Sequence, residues 1–282
     1  MQIKTFKSTA PKFKLLQDYA IIIATGNKAD IIDATFTMLN HTAFASIAWQ
    51  INFNKLLTLY TSDTPQYSVF AKGNSKLPFY AFSVLPGVTC PGAGNCINYC
   101  YSYRAWRYPA AFARQVQNTY LMRFNTAIIA ISFKALKGSF DFRLYVDGDF
   151  SNMSDVIFWM SIIKSTPQCK AYGYSKSFAL LLAYEITDTW PTNYMLNISS
   201  GHNASPEMVK YVKALPITRG EFIAVNIGFK PIHGSKTTND ALRSKFDEKI
   251  FPCPGKCGTC TGSGHACGMP AMKHRIIAIA IH

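Results

Sequence analysis

The sequence predicts an α/β protein, a partial or complete (β/α) barrel with an N-terminal α+β extension and a C-terminal cysteine-rich knuckle. Three observations predict it. Strand-like and helix-like segments alternate with short loops between residues 140 and 225. A Gly/Pro-rich loop with three cysteines, LPGVTCPGAGNCINYC, precedes that alternation. A second cysteine-rich stretch, CPGKCGTCTGSGHACG, follows it. Alternation of this kind builds parallel βαβ units, whose functional groups gather at the C-terminal ends of the strands.

Taken in order, residues 1–80 read as an α+β region. Tyr19 to Thr25, Phe44 to Phe53, Leu56 to Tyr60 and Tyr67 to Ala71 are rich in apolar, β-branched and aromatic residues and are expected as strands. Asp63, Pro65 and Gly73 supply the turns. Residues 81–250 are expected to form the barrel-like core. A helix is predicted from Pro109 to Phe133, followed by the strand FRLYVDGDF, which ends in an acidic turn. Ser154 is the expected N-cap of the helix DVIFWMSIIKS. The strand CKAYGYSKS, the helix FALLLAYEI and the strand TNYMLNISS come next, and a further helix leads to the strand EFIAVNIGF. Residues 251–282 hold the knuckle and the tail KHRIIAIAIH, expected as a closing strand.

Composition narrows the class. Hydrophobic residues make up 49% of the 282, which supplies a core and excludes a disordered chain. The net charge of +14 points to a polyanionic partner, nucleic acid or nucleotide; the alternative is a compact protein that is simply basic. The basic start MQIKTFKSTAPKFKLLQDYAIII has only a short apolar run, broken by Asp18, and does not read as a secretory signal. No stretch approaches the roughly 20 apolar residues that span a bilayer. The expected setting is therefore the cytoplasm, with no membrane contact. Thiols stay reduced there, so metal binding is the better reading of the cysteines than disulfides.

Seven of the eight cysteines fall into two groups: Cys90, Cys96 and Cys100, then Cys253, Cys257, Cys260 and Cys267. Four thiolates close a zinc or four-iron site, with His265 as a substitute ligand, and Gly255, Gly258, Gly262, Gly264 and Gly268 let the chain wrap it. Three thiolates can hold three irons of a [4Fe-4S] cluster and leave the fourth open to a small molecule such as S-adenosylmethionine. The alternatives for the early group are a zinc knuckle completed by a histidine or by Cys169, or one site shared by both groups.

Asp147 and Asp149 end a predicted strand, as a carboxylate pair for cation binding or acid–base work, or as an ordinary solvated turn. Lys176 ends the next strand and can meet a carboxylate or phosphate, or lie exposed. Ser199, Ser200 and His202 end the third; His202 is an acid–base candidate or a surface histidine. In YCYSYRAWRYPAAFAR, Tyr101, Tyr103, Trp106 and Tyr108 interleave with Arg104, Arg107 and Arg114. Such a strip stacks bases and binds phosphates, or else buries its rings with arginines at the rim. Phosphate-loop, dinucleotide-binding, nucleophile-elbow and H-E-x-x-H signatures are missing.

The segments FSVLPGVTCPGAGNCINYCYSYRAWRYP, RLYVDGDFSNMSDVIFWM, AYGYSKS, NISSG and the late knuckle resemble the phage gene product 88 family over about residues 80–270. Their order is similar, more distantly, to radical S-adenosylmethionine proteins of the spore-photoproduct-lyase type. Those place a C-x3-C-x2-C-Y motif before a partial (β/α) barrel; here the run is Cys90-x5-Cys96-x3-Cys100-Tyr101. The second resemblance implies a catalytic cluster on Cys90, Cys96 and Cys100. It also implies that Asp149 and its loop face S-adenosylmethionine, with Ser199 by the same mouth. The phage resemblance implies a protein made in the host cell. Two other readings remain open: a zinc-stabilised nucleic-acid-binding protein without catalysis, and a zinc-containing hydrolase or base-exchange enzyme using Asp147 or Asp149.

Overall fold

A computed structural model describes residues 5, 10–73, 77–258, 260–261 and 264–281. The first residues of the basic start and Gly262 lie outside them.

The chain begins with three helices, α1 (Pro11–Thr25), α2 (Lys28–Asn40) and α3 (Ile47–Ser62), and α1 and α3 stand where strands were expected. Their buried residues explain the correction. Leu16, Tyr19, Ala20 and Ile23 in α1, and Trp49, Phe53, Leu56 and Tyr60 in α3, recur at helical spacing. The β-branched run at Ile21–Ile23 is overridden by this stripe. Asn27 adds a capping box: its side chain accepts from the Asp30 amide at 3.0 Å while its own amide donates to Asp30 Oδ2 at 2.9 Å.

The remaining elements are β1 (Ala71–Lys72), β2 (Tyr80–Ala81), α4 (Pro109–Phe124), α5 (Thr126–Lys134), β3 (Phe140–Leu144), α6 (Met153–Lys164), β4 (Cys169–Ser175) and α7 (Phe178–Thr187). They continue with β5 (Tyr194–Ser199), α8 (Pro206–Ala214), β6 (Thr218–Val225), α9 (Lys236–Arg243), β7 (Phe251–Pro252) and β8 (Ile277–Ala280). The predicted helix over 109–133 is two, divided at Asn125. The cap of α6 is Asn152, which accepts from the Asp155 amide, rather than Ser154.

One eight-stranded sheet runs in the order β1-β2-β3-β4-β5-β6-β8-β7. Only β1 is antiparallel to its neighbour. From β2 to β6 the spatial order is the chain order, as successive same-handed crossovers produce. The sheet stays open. β1 and β7 are its edges, and β8 lies between β6 and β7 rather than closing a barrel.

The two faces differ. Phe142, Leu144, Ala171, Leu196 and Ile198 share one core with α1–α8, so the N-terminal helices are continuous with the core of the sheet. The alternate residues point the other way, and Tyr172, Tyr174, Met195 and Phe222 pack there against Cys253, Cys260, Ala266, Cys267 and Met272. The late knuckle thus covers this second face. Arg219 pins it, donating to Asn197 Oδ1 at 2.6 Å and to the carbonyls of Met272 and Arg275 at 3.1 and 2.6 Å.

Candidate functional site

The loop after β2 carries Cys90, Cys96 and Cys100 across the C-terminal ends of β4 and β5. Backbone meets backbone here. The Gly94 and Cys96 amides donate to the Gly201 carbonyl at 2.9 and 3.1 Å, and the Asn203 amide donates to Gly92 at 3.1 Å. A Cβ on Gly92 would fall 1.7 Å from the Lys176 carbonyl oxygen, so only glycine allows the approach. Gly201, at φ +75°, turns the opposing loop past Cys96.

All three thiols are partly buried, and burial pushes each one up. The Asp149 carboxylate raises Cys90 further, while Lys176 opposes the rise at Cys90 and Cys96. The Ser102 and Tyr103 amides face Cys100. Cys90 and Cys100 are electrostatic neighbours, and Tyr99 adjoins both Cys96 and Cys100.

The predicted strand-end residues converge at the same mouth. Asp149 is buried, which raises its pKa, and it accepts three bonds: from the Phe150 amide at 2.8 Å, Ser175 Oγ at 2.8 Å and the Lys176 amide at 2.7 Å. Its role in the fold is to fix the start of the β4–α7 turn. That turn aims Lys176, whose Nζ donates to Ser199 Oγ at 2.7 Å. Ser200 Oγ accepts from the Ala224 amide at 2.9 Å and also adjoins the Tyr99 hydroxyl. Asp147, likewise raised by burial, accepts from Gln115 Nε2 at 2.9 Å and from the Ser83 and Ser102 hydroxyls. Trp106 Nε1 donates to Gln115 at 2.9 Å, so Asp147 anchors the segment after Cys100. His202 packs on Phe178, and its Nδ1 accepts from the Ala204 amide at 3.3 Å; burial, then Lys176, lowers its pKa.

The aromatic–basic strip divides. Trp106 is fully buried and Tyr103 packs on it. Arg104, Arg107, Tyr101 and Tyr108 are exposed, and Arg114 is half-buried with its Nε unpaired. Cys169 is buried in the core shared with the helices, at the start of β4. A strand of that length puts it roughly 20 Å from the mouth, too far to complete the early group.

Cys253 is an electrostatic neighbour of the other three late cysteines, and Cys257 of Cys260 and Cys267. Burial pushes Cys253 up to about 12 and Cys267 up to about 11. Each sulfur meets a hydrogen-bond donor. The Gly255 amide faces Cys253, and the Ala266 amide donates to Cys260 Sγ at 3.3 Å. The Tyr174 hydroxyl faces Cys267, and Arg143 Nη1 lies 4.0 Å from Cys257 Sγ. His265 is sandwiched by Phe79 and Tyr172, at ring-centroid distances of 4.7 and 4.4 Å, with Nε2 3.7 Å from Asp141. Its Nδ1 is buried without a hydrogen-bond partner.

Among the described residues, no three His, Cys, Asp or Glu side chains stand at metal-holding geometry. The donor chemistry nonetheless fits thiophilic centres, because donors aimed at sulfur are the environment that stabilises bound thiolates. Sequence reasoning missed Gln115, Arg143, Tyr172 and Tyr174. Tyr172 and Tyr174 were legible as same-face positions two residues apart within β4.

An open parallel α/β sheet with a thiol-bearing loop and an Asp–Lys–Ser chain at its strand ends defines the class of this protein. Residues 54–268 match gene product 88, a span that contains all seven clustered cysteines, and the chain belongs to this family of phage proteins. No curated protein and no solved structure matches it. No helix among the described residues is long and apolar enough to cross a membrane.

Proposed function

We propose that the protein is an iron–sulfur enzyme of the radical S-adenosylmethionine type that acts on a nucleic acid or nucleotide in the host-cell cytoplasm. One observation carries the reading. Three thiols sit on the loop after the first parallel strand, over strand ends that present Lys176 and Ser199. Cys90, Cys96 and Cys100 would hold a [4Fe-4S] cluster with one open position. The bound cluster supplies the electron that cleaves S-adenosylmethionine reductively. Lys176 offers a cation to the cofactor's carboxylate, and Ser199, Ser200 and Tyr101 offer hydroxyls to its polar groups. Asp149 orients Lys176, and Asp147 holds the loop. The exposed Arg104 and Arg107, with Tyr101 and Tyr108, offer phosphate contacts and stacking faces to the polyanionic substrate. Cys253, Cys257, Cys260 and Cys267 take an auxiliary cluster or a structural zinc.

The test is formation of 5′-deoxyadenosine from S-adenosylmethionine by reconstituted, reduced protein. Wild type is expected to form it, and Cys96→Ala is not. Absence of product from wild type carrying its full cluster contradicts the reading.

A second reading, a zinc-stabilised nucleic-acid-binding protein without catalysis, draws on the same exposed arginines and rings. It expects binding that weakens steeply with salt, with no turnover. The hydrolase or base-exchange reading is weaker, because Asp147 and Asp149 are already engaged by protein donors.

A further inference from the structure

We propose that Arg143 couples the two cysteine groups: one arm of its guanidinium holds the sulfur centre of the late knuckle, and the other holds the early loop beside Cys100. The inference rests on the reading that both groups bind metal centres, and it adds a physical link between them.

Arg143 projects from β3 onto the knuckle side of the sheet. Nη1 lies 4.0 Å from Cys257 Sγ, and Nη2 donates to the Tyr101 hydroxyl at 3.4 Å. The guanidinium stacks on Tyr174, 4.7 Å from the ring centroid. Tyr101 directly follows Cys100 in the chain, and its hydroxyl also donates to the Val146 carbonyl at 2.9 Å. A short path therefore runs from Cys257 through Arg143 and Tyr101 to Cys100.

The charge on this path is only partly offset: the Asp147 carboxylate is an electrostatic neighbour of Arg143 but forms no ion pair with it. Arg143 Nε is buried and without a hydrogen-bond partner, and no carboxylate among the described residues forms an ion pair with the side chain. A guanidinium withdrawn from water is costly unless an anion faces it. The second arginine on this face differs: Arg219 places its donors on Asn197 and on three backbone carbonyls. The Tyr172 hydroxyl lies beside Cys257, buried, with no other partner. Arg143 Nη1 and the Tyr172 hydroxyl thus converge on one sulfur. A thiolate–metal centre on the knuckle would supply negative charge directly at Nη1. Once held by it, the guanidinium is fixed in the position from which it reaches Tyr101. Arg143 is a positioning residue in this scheme, since it acts on Cys100 through Tyr101.

The test uses the full chain, reconstituted anaerobically with iron and sulfide, as wild type, Tyr101→Phe, Arg143→Gln and the Cys257→Ser/Cys260→Ser pair. Metal and sulfide per chain are measured, together with the rate at which iodoacetamide alkylates Cys100, mapped by mass spectrometry. Emptying the late group is expected to speed Cys100 alkylation by about fivefold or more, the size of an ordinary coupling between sites. Tyr101→Phe is expected to give a similar increase with the late centre still loaded, and to add little when combined with the cysteine pair. Tyr101 is a surface ring, so this variant keeps the test readable if Arg143→Gln misfolds. Unchanged Cys100 reactivity in Tyr101→Phe protein carrying both centres overturns the coupling alone. Wild type that takes up neither iron nor sulfide, nor zinc when zinc is offered, overturns the coupling and the metal reading together.

Discussion

The early cysteine loop and the late knuckle carry the same donor atoms in opposite settings. The early loop lies across strand ends, held by backbone contacts that glycine alone permits, with Lys176 and Ser199 beside it. The late knuckle is packed against the sheet face by aromatic rings, two arginines and a sandwiched histidine. An open mouth can exchange ligands, whereas a packed face resists it. On the proposed reading, the difference puts chemistry at the first group and scaffolding at the second.

The largest effect that would sharpen this contrast comes from emptying the knuckle. Cys257→Ser with Cys260→Ser is expected to lower the melting temperature by on the order of 10 °C, because a bound thiolate centre contributes directly to folding. Cys96→Ala should shift the melting temperature far less while abolishing turnover. Equal losses of stability from the two groups would break the distinction.

Gly92→Ala comes next. Its methyl meets the Lys176 carbonyl, so the loop must lift. The expected cost is about 1–3 kcal/mol in denaturant unfolding, with the early metal lost and the late metal retained. Lys176→Met should weaken S-adenosylmethionine binding by about tenfold, as loss of a charged hydrogen bond does, and leave metal content unchanged. Calorimetric titration separates the two.

The smallest effect is one of pH. His265, with Nε2 3.7 Å away, holds the Asp141 carboxyl below its usual value. Such a group adds stability above its unfolded pKa of about 3.9, and that stability is lost as pH falls through the lower folded value. Unfolding measured between about pH 5 and pH 3 should show wild type losing this increment while Asp141→Asn does not.

The sequence shows these two regions unequally. The alternation after residue 140 gave the parallel strands because each strand is short, apolar and bounded by turn residues, and it put Asp147, Asp149, Lys176 and Ser199 at strand ends as found. The N-terminal 62 residues misled, since aromatic and β-branched side chains were read by type rather than by spacing. Asn52 in α3 illustrates it: a buried polar residue that falls on the helical stripe and breaks a strand pattern. The failure to close could not be read either, because the order of β7 and β8 depends on contacts far apart in sequence. Arg143 went unnoticed for a related reason. In RLYVDGDF it is one basic residue on a strand, and its meaning comes only from Cys257, over a hundred residues away.

The most direct measurement is iron, acid-labile sulfide and zinc per chain after anaerobic purification. The account predicts a coloured protein with iron and sulfide in cluster proportions, lowered by Cys96→Ala to whatever the late group alone holds. A colourless protein with stoichiometric zinc and no sulfide would contradict it.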